Sequence, residues 1–172
     1  MRLSLRGLVT LMVSLALAGC MTVTHKVTVV HNVTKPETFS IRPAPSVAGN
    51  PEANAYGDLI AQKLTEKGWS KSDKPAADVQ FDYGFDRSQH FGRPGTANYH
   101  SWLYTKKLRV WIDEKATKTR IYDGTALNGG PSSHFDPAIR CLVNALFKDF
   151  PGESGPTNIV NVSSGCYDDS KK

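Results

Sequence analysis

Apolar and polar residues alternate strictly between residues 78 and 86. A period of two places successive side chains on opposite faces of a β-strand, so this segment predicts a strand with one apolar face. The alternation returns at 107–113, and a third alternating run follows at 120–127 after a short turn. The last two runs are predicted to form a hairpin. The residues that define the three runs are Val79, Phe81, Tyr83 and Phe85; Leu108, Val110 and Ile112; and Ile121, Asp123, Thr125 and Leu127.

A period of three to four residues marks two further segments as amphipathic helices. The first begins at Pro51, with Asn50 placed to cap it, and ends at Gly68, a residue typical of helix ends. The second extends from about residue 137 to 149, with Asp136 as its predicted cap. Both apolar stripes have the width that a sheet-packing helix needs. They consist of Ala53, Tyr56, Ile60 and Leu64 in the first helix, and Ile139, Leu142, Val143, Leu146 and Phe150 in the second.

Shorter β-branched or alternating segments complete the predicted sheet. Residues 38–42 form a candidate core strand, and residues 158–162 a candidate last strand. Residues 21–36 are also rich in valine and threonine, which indicates either an edge strand or an extended tether. The resulting order predicts the α+β class: a mostly antiparallel sheet with two amphipathic helices packed on one face.

The first twenty residues have the pattern of an export signal. Arg2 and Arg6 precede an uncharged apolar run, and small residues follow before Cys20. The uncharged run 7–20 is shorter than the about 20 residues that a membrane-spanning helix needs.

A cysteine at the end of such a signal resembles the lipobox of bacterial lipoproteins. This resemblance implies that residues 1–19 are removed and that Cys20 carries acyl chains, which hold the protein on a membrane. Met21 follows Cys20 where enterobacterial sorting rules place Asp for retention in the inner membrane. By resemblance to those rules, the protein is expected in the cell envelope, on the outer membrane and facing the periplasm.

Charge and cysteine content narrow the function classes. The net charge is +5, and loss of Arg2 and Arg6 with the signal would leave +3, which is too low for a dedicated nucleic-acid binder. No cofactor and no metal site is expected.

Cys141 and Cys166 remain after Cys20 is lipidated, and an oxidising compartment favours a disulfide between them. The alternative is that Cys141 is a small buried helix residue.

Four segments together resemble the family of bacterial lipoproteins that carries the domain of unknown function 4136. They are the lipobox at Cys20, the helix end 64–69, the strand 77–83 and the segment 145–152. The resemblance implies an envelope lipoprotein without an assigned reaction, and therefore no catalytic residues. The expected organisation is a signal peptide (1–19), a lipidated anchor with a tether or edge strand (20–36), one α+β domain (37–163) and a tail (164–172).

One segment between two predicted strands is a candidate for binding a protein partner of the envelope. It covers residues 87–104 and is rich in arginine and aromatic residues, which are the residue types that anchor interfaces. The alternative is a long hairpin whose aromatic side chains pack onto the sheet. The candidate binding residues are Arg87, Phe91, Arg93, Tyr99 and Trp102.

The sequence contains no nucleophile elbow, no phosphate-binding loop and no zinc-protease motif. We therefore expect a non-catalytic domain that is structural or binds a partner. Two alternatives stay open. The first is a small periplasmic hydrolase or metal-dependent enzyme that uses His90, His100 and nearby carboxylates, which requires convergent histidines in a concave pocket. The second is an apolar ligand carrier, which requires a deep cavity between helices and sheet.

Overall fold

Seven strands form one sheet, and both helices pack on the same face of it. The computed structural model describes residues 22–35, 37–91 and 100–167, with the backbone alone at 89–91 and 100–102. The elements in chain order are β1 (Thr22–His31), β2 (Thr38–Pro43), α1 (Ala53–Glu66), β3 (Ser70–Lys71), β4 (Ala77–Phe91), β5 (His100–Glu114), β6 (Arg120–Gly130), α2 (Asp136–Phe147), β7 (Asn158–Ser163) and a 3-10 turn (Ser164–Tyr167).

The strand order across the sheet is β3-β2-β4-β5-β6-β1-β7. β2 pairs in parallel with both β3 and β4, and α1 is the crossover helix between β2 and β3. The other four strand pairs are antiparallel. The sheet is therefore mixed, with antiparallel pairs in the majority. The predicted α+β class, with two helices on one face, is confirmed.

The position of β1 corrects one prediction. Residues 21–36 were expected to form an edge strand or a tether, but β1 lies between β6 and β7. Lys26 is the partner of Leu127 on one side, and Thr22 is the partner of Ser163 on the other. His25, Val27 and Val29 face the helices and are buried, which explains the selection of β-branched residues in this segment.

Neither predicted cap residue caps its helix. α1 begins at Ala53 without a side-chain cap, and the Asn50 amide instead donates a hydrogen bond to Tyr83 Oη at 3.0 Å. In α2, Asp136 is the first helical residue, and its carboxylate accepts a hydrogen bond from Tyr56 Oη. The N-cap positions are instead held by Glu52 in α1 and Phe135 in α2, neither of which makes a side-chain cap hydrogen bond.

The end of α1 follows the prediction. Gly68 has φ = +87°, a conformation that glycine adopts at little cost, and the Trp69 N–H donates to the Leu64 carbonyl at 3.0 Å. The Trp69 side chain is buried, and its ring contacts those of Phe39 and Phe150. The residue that follows α1 therefore fastens the helix end to the sheet.

The buried surface of α2 is wider than the predicted apolar stripe. Cys141 and Ala145 lie outside the predicted stripe, yet both are buried. The chain returns over this side of the helix as β7 and the 3-10 turn, which contact α2. Neither α1 nor α2 is long and apolar enough to cross a bilayer.

The face of the sheet opposite the helices is open. The predicted shared face of β6, which contains Ile121, Asp123, Thr125 and Leu127, is this open face, and its residues are partly exposed. The core face of the same strand consists of Tyr122, Gly124, Ala126 and Asn128.

Candidate functional site

β4 and β5 extend beyond the rest of the sheet as a two-stranded arm. They pair continuously from Ala77 and Glu114 to Phe91 and His100. β6 accompanies β5 only as far as Tyr104, and β2 accompanies β4 only as far as Phe81. We call residues 88–91 and 100–103 the arm. The described parts of the segment 87–104, residues 87–91 and 100–104, are thus paired strands, which agrees with the hairpin of the alternative prediction. The packing of its aromatic side chains onto the sheet stays a prediction.

The five candidate binding residues fall on this hairpin or on its connection. Arg87 is exposed in β4 and is paired with Tyr104 in the backbone register. Phe91 ends β4 opposite His100, and Trp102 lies in β5 opposite Gln89. Two more, Arg93 and Tyr99, lie outside the described residues. Their role in binding a partner stays a prediction.

The base of the arm carries aromatic and basic side chains on the helix side. Phe85 is 50% exposed, and its ring meets that of Tyr104 edge-on, with centroids 5.5 Å apart. Next to them the Lys106 side chain is buried, and its Nζ donates to the Ser132 carbonyl at 2.6 Å. Burial lowers the pKa of Lys106.

Cys141 and Cys166 form a disulfide, with their Cα atoms 5.1 Å apart. It joins the middle of α2 to the 3-10 turn. The turn is also held by Tyr167, whose Oη donates to Asn128 Oδ1 of β6 at 3.3 Å. Residues 164–167 of the predicted tail are therefore fastened to the domain, and residues 168–172 lie outside the described residues.

A cluster of charges surrounds one tryptophan on the open face. Arg109 donates two hydrogen bonds to the Asp123 carboxylate, at 2.9 and 2.6 Å, and Arg120 donates to Asp113 at 2.9 Å. Both guanidinium groups lie over the Trp111 ring, 5.3 and 5.5 Å from its centroid. These ion pairs hold the pKa of Asp123 below its usual range and raise the pKa of both arginines. The charges of the cluster are therefore paired with one another on the open face.

Sequence reasoning did not find this cluster, although a signal was present. Arg109, Trp111 and Asp113 alternate along one predicted strand, and Arg120 and Asp123 lie on the next. Pairing the two strands around the turn 115–119 would have placed opposite charges beside each other.

The histidines do not converge where their surroundings are described. His25 is buried on the core face of β1, where desolvation lowers its pKa and favours the neutral ring. His31 Nε2 lies 2.9 Å from the Gly152 carbonyl, and His134 lies beside Ser132. His90 and His100 occupy neighbouring register positions in the backbone of the arm. Among the described side chains, at 22–35, 37–88 and 103–167, no group of three His, Cys, Asp or Glu is arranged to hold a metal ion, and the side chains of His90 and His100 lie outside these ranges.

The ligand-carrier alternative requires an apolar cavity between helices and sheet. A depression at that place is bounded by β1 and α2, with Val27, Val29 and Leu146 in its wall. Asp149 and Glu153 also line it, so its lining is mixed in polarity. This composition differs from the continuous apolar lining that a carrier of lipid-like molecules needs.

Several solved structures match this chain at low sequence identity. A PDZ domain protein from Parabacteroides distasonis matches with a TM-score of 0.59 and 13% identity over 83% of this chain. This chain covers 39% of that protein's length. The PelC dodecamer from Paraburkholderia phytofirmans matches with a TM-score of 0.40 and 11% identity, over 68% of this chain and 92% of that chain. A minor lipoprotein from Acinetobacter baumannii matches with a TM-score of 0.38 and 15% identity, over 66% of this chain and 84% of that chain.

No protein-family model and no curated protein matches the sequence. The similarity to the Parabacteroides protein shows a shared fold at low sequence identity. The resemblance to the family with the domain of unknown function 4136 stays a prediction.

Proposed function

We propose that this protein is a lipid-anchored lipoprotein of the bacterial cell envelope, whose α+β domain is non-catalytic and structural or partner-binding. The observation that carries the proposal is the order of basic, apolar and small residues that ends at Cys20. The folded domain supports it, because β1 begins at Thr22, two residues after Cys20. Removal of residues 1–19 therefore leaves all the described strands and helices intact.

The chemistry of the anchor explains its strength. Each buried methylene contributes about 0.8 kcal/mol, so one acyl chain holds a protein weakly, whereas two or three hold it firmly. We propose that the acylated Cys20 places the domain on the periplasmic side of the outer membrane. The resemblance of residues 20 and 21 to the lipoprotein sorting pattern supports that location.

A non-catalytic role is supported by the surroundings of several described polar side chains. The charged cluster around Trp111 is internally paired, and His25 and Lys106 are buried within the fold. An enzyme would need a polar group left available to a substrate in a concave site.

The experiment compares the full-length natural chain with its Cys20→Ser variant for acylation and for cleavage of the signal peptide. In a bacterial host supplied with labelled palmitate, we expect the natural chain to incorporate label, lose residues 1–19 and sediment with the outer membrane. The Cys20→Ser chain is expected to take up no label and to retain its first nineteen residues, because the thiol is the acylated atom. Cys166→Ser is the matched control, since this cysteine lies at the opposite end of the chain and should leave labelling unchanged. A Cys20→Ser protein that is still cut after residue 19 and still sediments with membranes would contradict the proposal.

A further inference from the structure

The distance between the proposed anchor and the folded domain is very short. Only Met21 lies between Cys20 and the first residue of β1. Two residues of fully extended chain span at most about 7 Å. If Cys20 is held at the membrane surface, the Thr22 end of β1 must therefore lie within about 7 Å of it.

The arm projects from the same end of the sheet. β1, β6, β5 and β4 are consecutive antiparallel neighbours, so the start of β1 and the end of β4 are at one end. A line of register partners crosses these strands through Lys26, Leu127, Lys107 and Gly84.

At the end of the sheet where β1 begins, the arm reaches farther along the strands than the start of β1 does. From Lys26 to Thr22 the strand rises about 13 Å, whereas from Gly84 to Phe91 it rises about 23 Å, at about 3.3 Å per residue. The twist of the sheet shortens both rises along the mean strand direction by a similar factor. Along the mean strand direction the arm thus extends about 8 Å beyond Thr22, slightly more than the about 7 Å that residues 20 and 21 can add.

The residue types at this end suit a membrane surface. The sequence of the arm contains the aromatic residues Phe91 and Trp102. Tyr167 is 37% exposed in the turn after β7, whose last residue is the partner of Thr22. Aromatic and basic residues are enriched where proteins meet phospholipid headgroups.

We infer that the end of the β4–β5 arm contacts the phospholipid headgroups of the membrane that anchors Cys20. The domain then meets the bilayer at two places, the acylated cysteine and the arm, three strands apart in the sheet. The strands stand away from the membrane, and the His31 end of β1 faces the periplasm. This inference rests on the proposed function, because the lipid on Cys20 sets the distance. It assigns the arm positions of the candidate binding cluster to the bilayer instead of a protein partner.

The test uses photocrosslinking of the full-length, acylated chain. The photoreactive residue p-benzoyl-phenylalanine replaces Phe91 at the end of the arm, or Trp102 as a second arm position. Val30, 62% exposed near the far end of β1, is the matched control position. Each purified protein is placed in vesicles of phosphatidylethanolamine and phosphatidylglycerol and irradiated, and its molecular mass is then measured by mass spectrometry. The mass before irradiation shows whether Cys20 is acylated.

We expect phospholipid adducts from both arm positions and none above the unirradiated background from Val30. An acylated protein without lipid adducts from either arm position would overturn this inference and leave the proposed function intact. Equal lipid adducts from the arm and from Val30 would also overturn it, as would a protein dimer crosslinked through the arm. A chain that carries no acyl group would overturn the proposed function, and this inference with it.

Discussion

At the scale of single residues, the most demanding contact is between Tyr122 and Gly124 in β6. Both lie on the core face, and the Tyr122 ring is fully buried against Phe150, with ring centroids 5.0 Å apart. A Cβ atom at Gly124 would lie 2.5 Å from Tyr122 Oη and 2.8 Å from Cε1. The ring therefore occupies the space that any other residue at position 124 would need.

We predict that Gly124→Ala lowers the free energy of unfolding by about 1–3 kcal/mol, because overpacking forces the buried ring to move. Gly129→Ala in the same strand is the control, since a Cβ there would have no atom within 4 Å. That control is expected to change stability by less than about 0.5 kcal/mol. Urea denaturation of the two variants measures the difference, and equal midpoints for both would refute the role of Tyr122.

At the scale of elements, β1 shows how a segment that resembles a tether becomes part of the core. Its valines alternate with threonine, lysine and histidine, and only pairing with β6 and β7 determines which of them are buried. Val27 is 5% exposed, whereas Val30, three residues later on the other face, is 62% exposed. The same residue type thus has two environments within one strand.

This difference predicts the effect of removing each valine side chain. Val27→Ala should lower the free energy of unfolding by about 2 kcal/mol, because buried apolar contacts are lost. Val30→Ala should change it by less than about 0.5 kcal/mol. Thermal or urea unfolding of the mature domain distinguishes them. If both substitutions were neutral, β1 would behave as a tether and its place within the sheet would be wrong.

At the scale of the whole molecule, the last part of the chain closes over the second helix. The 3-10 turn after β7 is held to α2 by the disulfide and to β6 by the Tyr167 hydroxyl. Thr22, at the beginning of the domain, is paired with Ser163, directly before this turn. The disulfide therefore stabilises the same end of the molecule at which the proposed lipid anchor enters.

We predict that the denatured, unreduced mature domain has no free thiol apart from any on Cys20, and that reduction lowers its stability by about 3 kcal/mol. That value is the chain-entropy estimate for a closed loop of this size, since the two cysteines are 25 residues apart. A Cys141→Ala, Cys166→Ala double variant should unfold at the same temperature with and without reductant. A thiol assay that finds both cysteines free in the oxidised protein would show that the disulfide does not form.

The elements with strong periodicity could be predicted from the sequence, because their pattern is local. The alternation around Val79 and Val110 located two core strands, and the spacing around Ile60 and Leu142 located both helices. The predicted helix caps were wrong, and the side chains of both residues instead bind partners far away in the chain. Asn50 and Asp136 bind tyrosines that are 33 and 80 residues from them in the chain, and no local rule contains these partners.

The candidate site was only partly predictable. The aromatic and basic composition of 87–104 was visible in the sequence, and a long hairpin was one of its two predicted forms, but the projection of this hairpin beyond the rest of the sheet was not visible. Strand pairing beyond residue 86 depends on β5 continuing to 100–104, where β6 no longer supports it. The paired charges around Trp111 likewise depend on the register of β5 with β6, which shifts at Ile112 and Asp113.

The sequence by itself determined the amphipathic elements, the α+β class and the export pattern that ends at Cys20. Each of these depends on the order of neighbouring residues, which periodicity and composition describe directly. Only the tertiary structure decided that β1 lies inside the sheet, that the arm extends past it and that both point to the same end of the molecule. Those facts depend on which strands pair and in what register, and these are set by burial of side chains far apart in the chain.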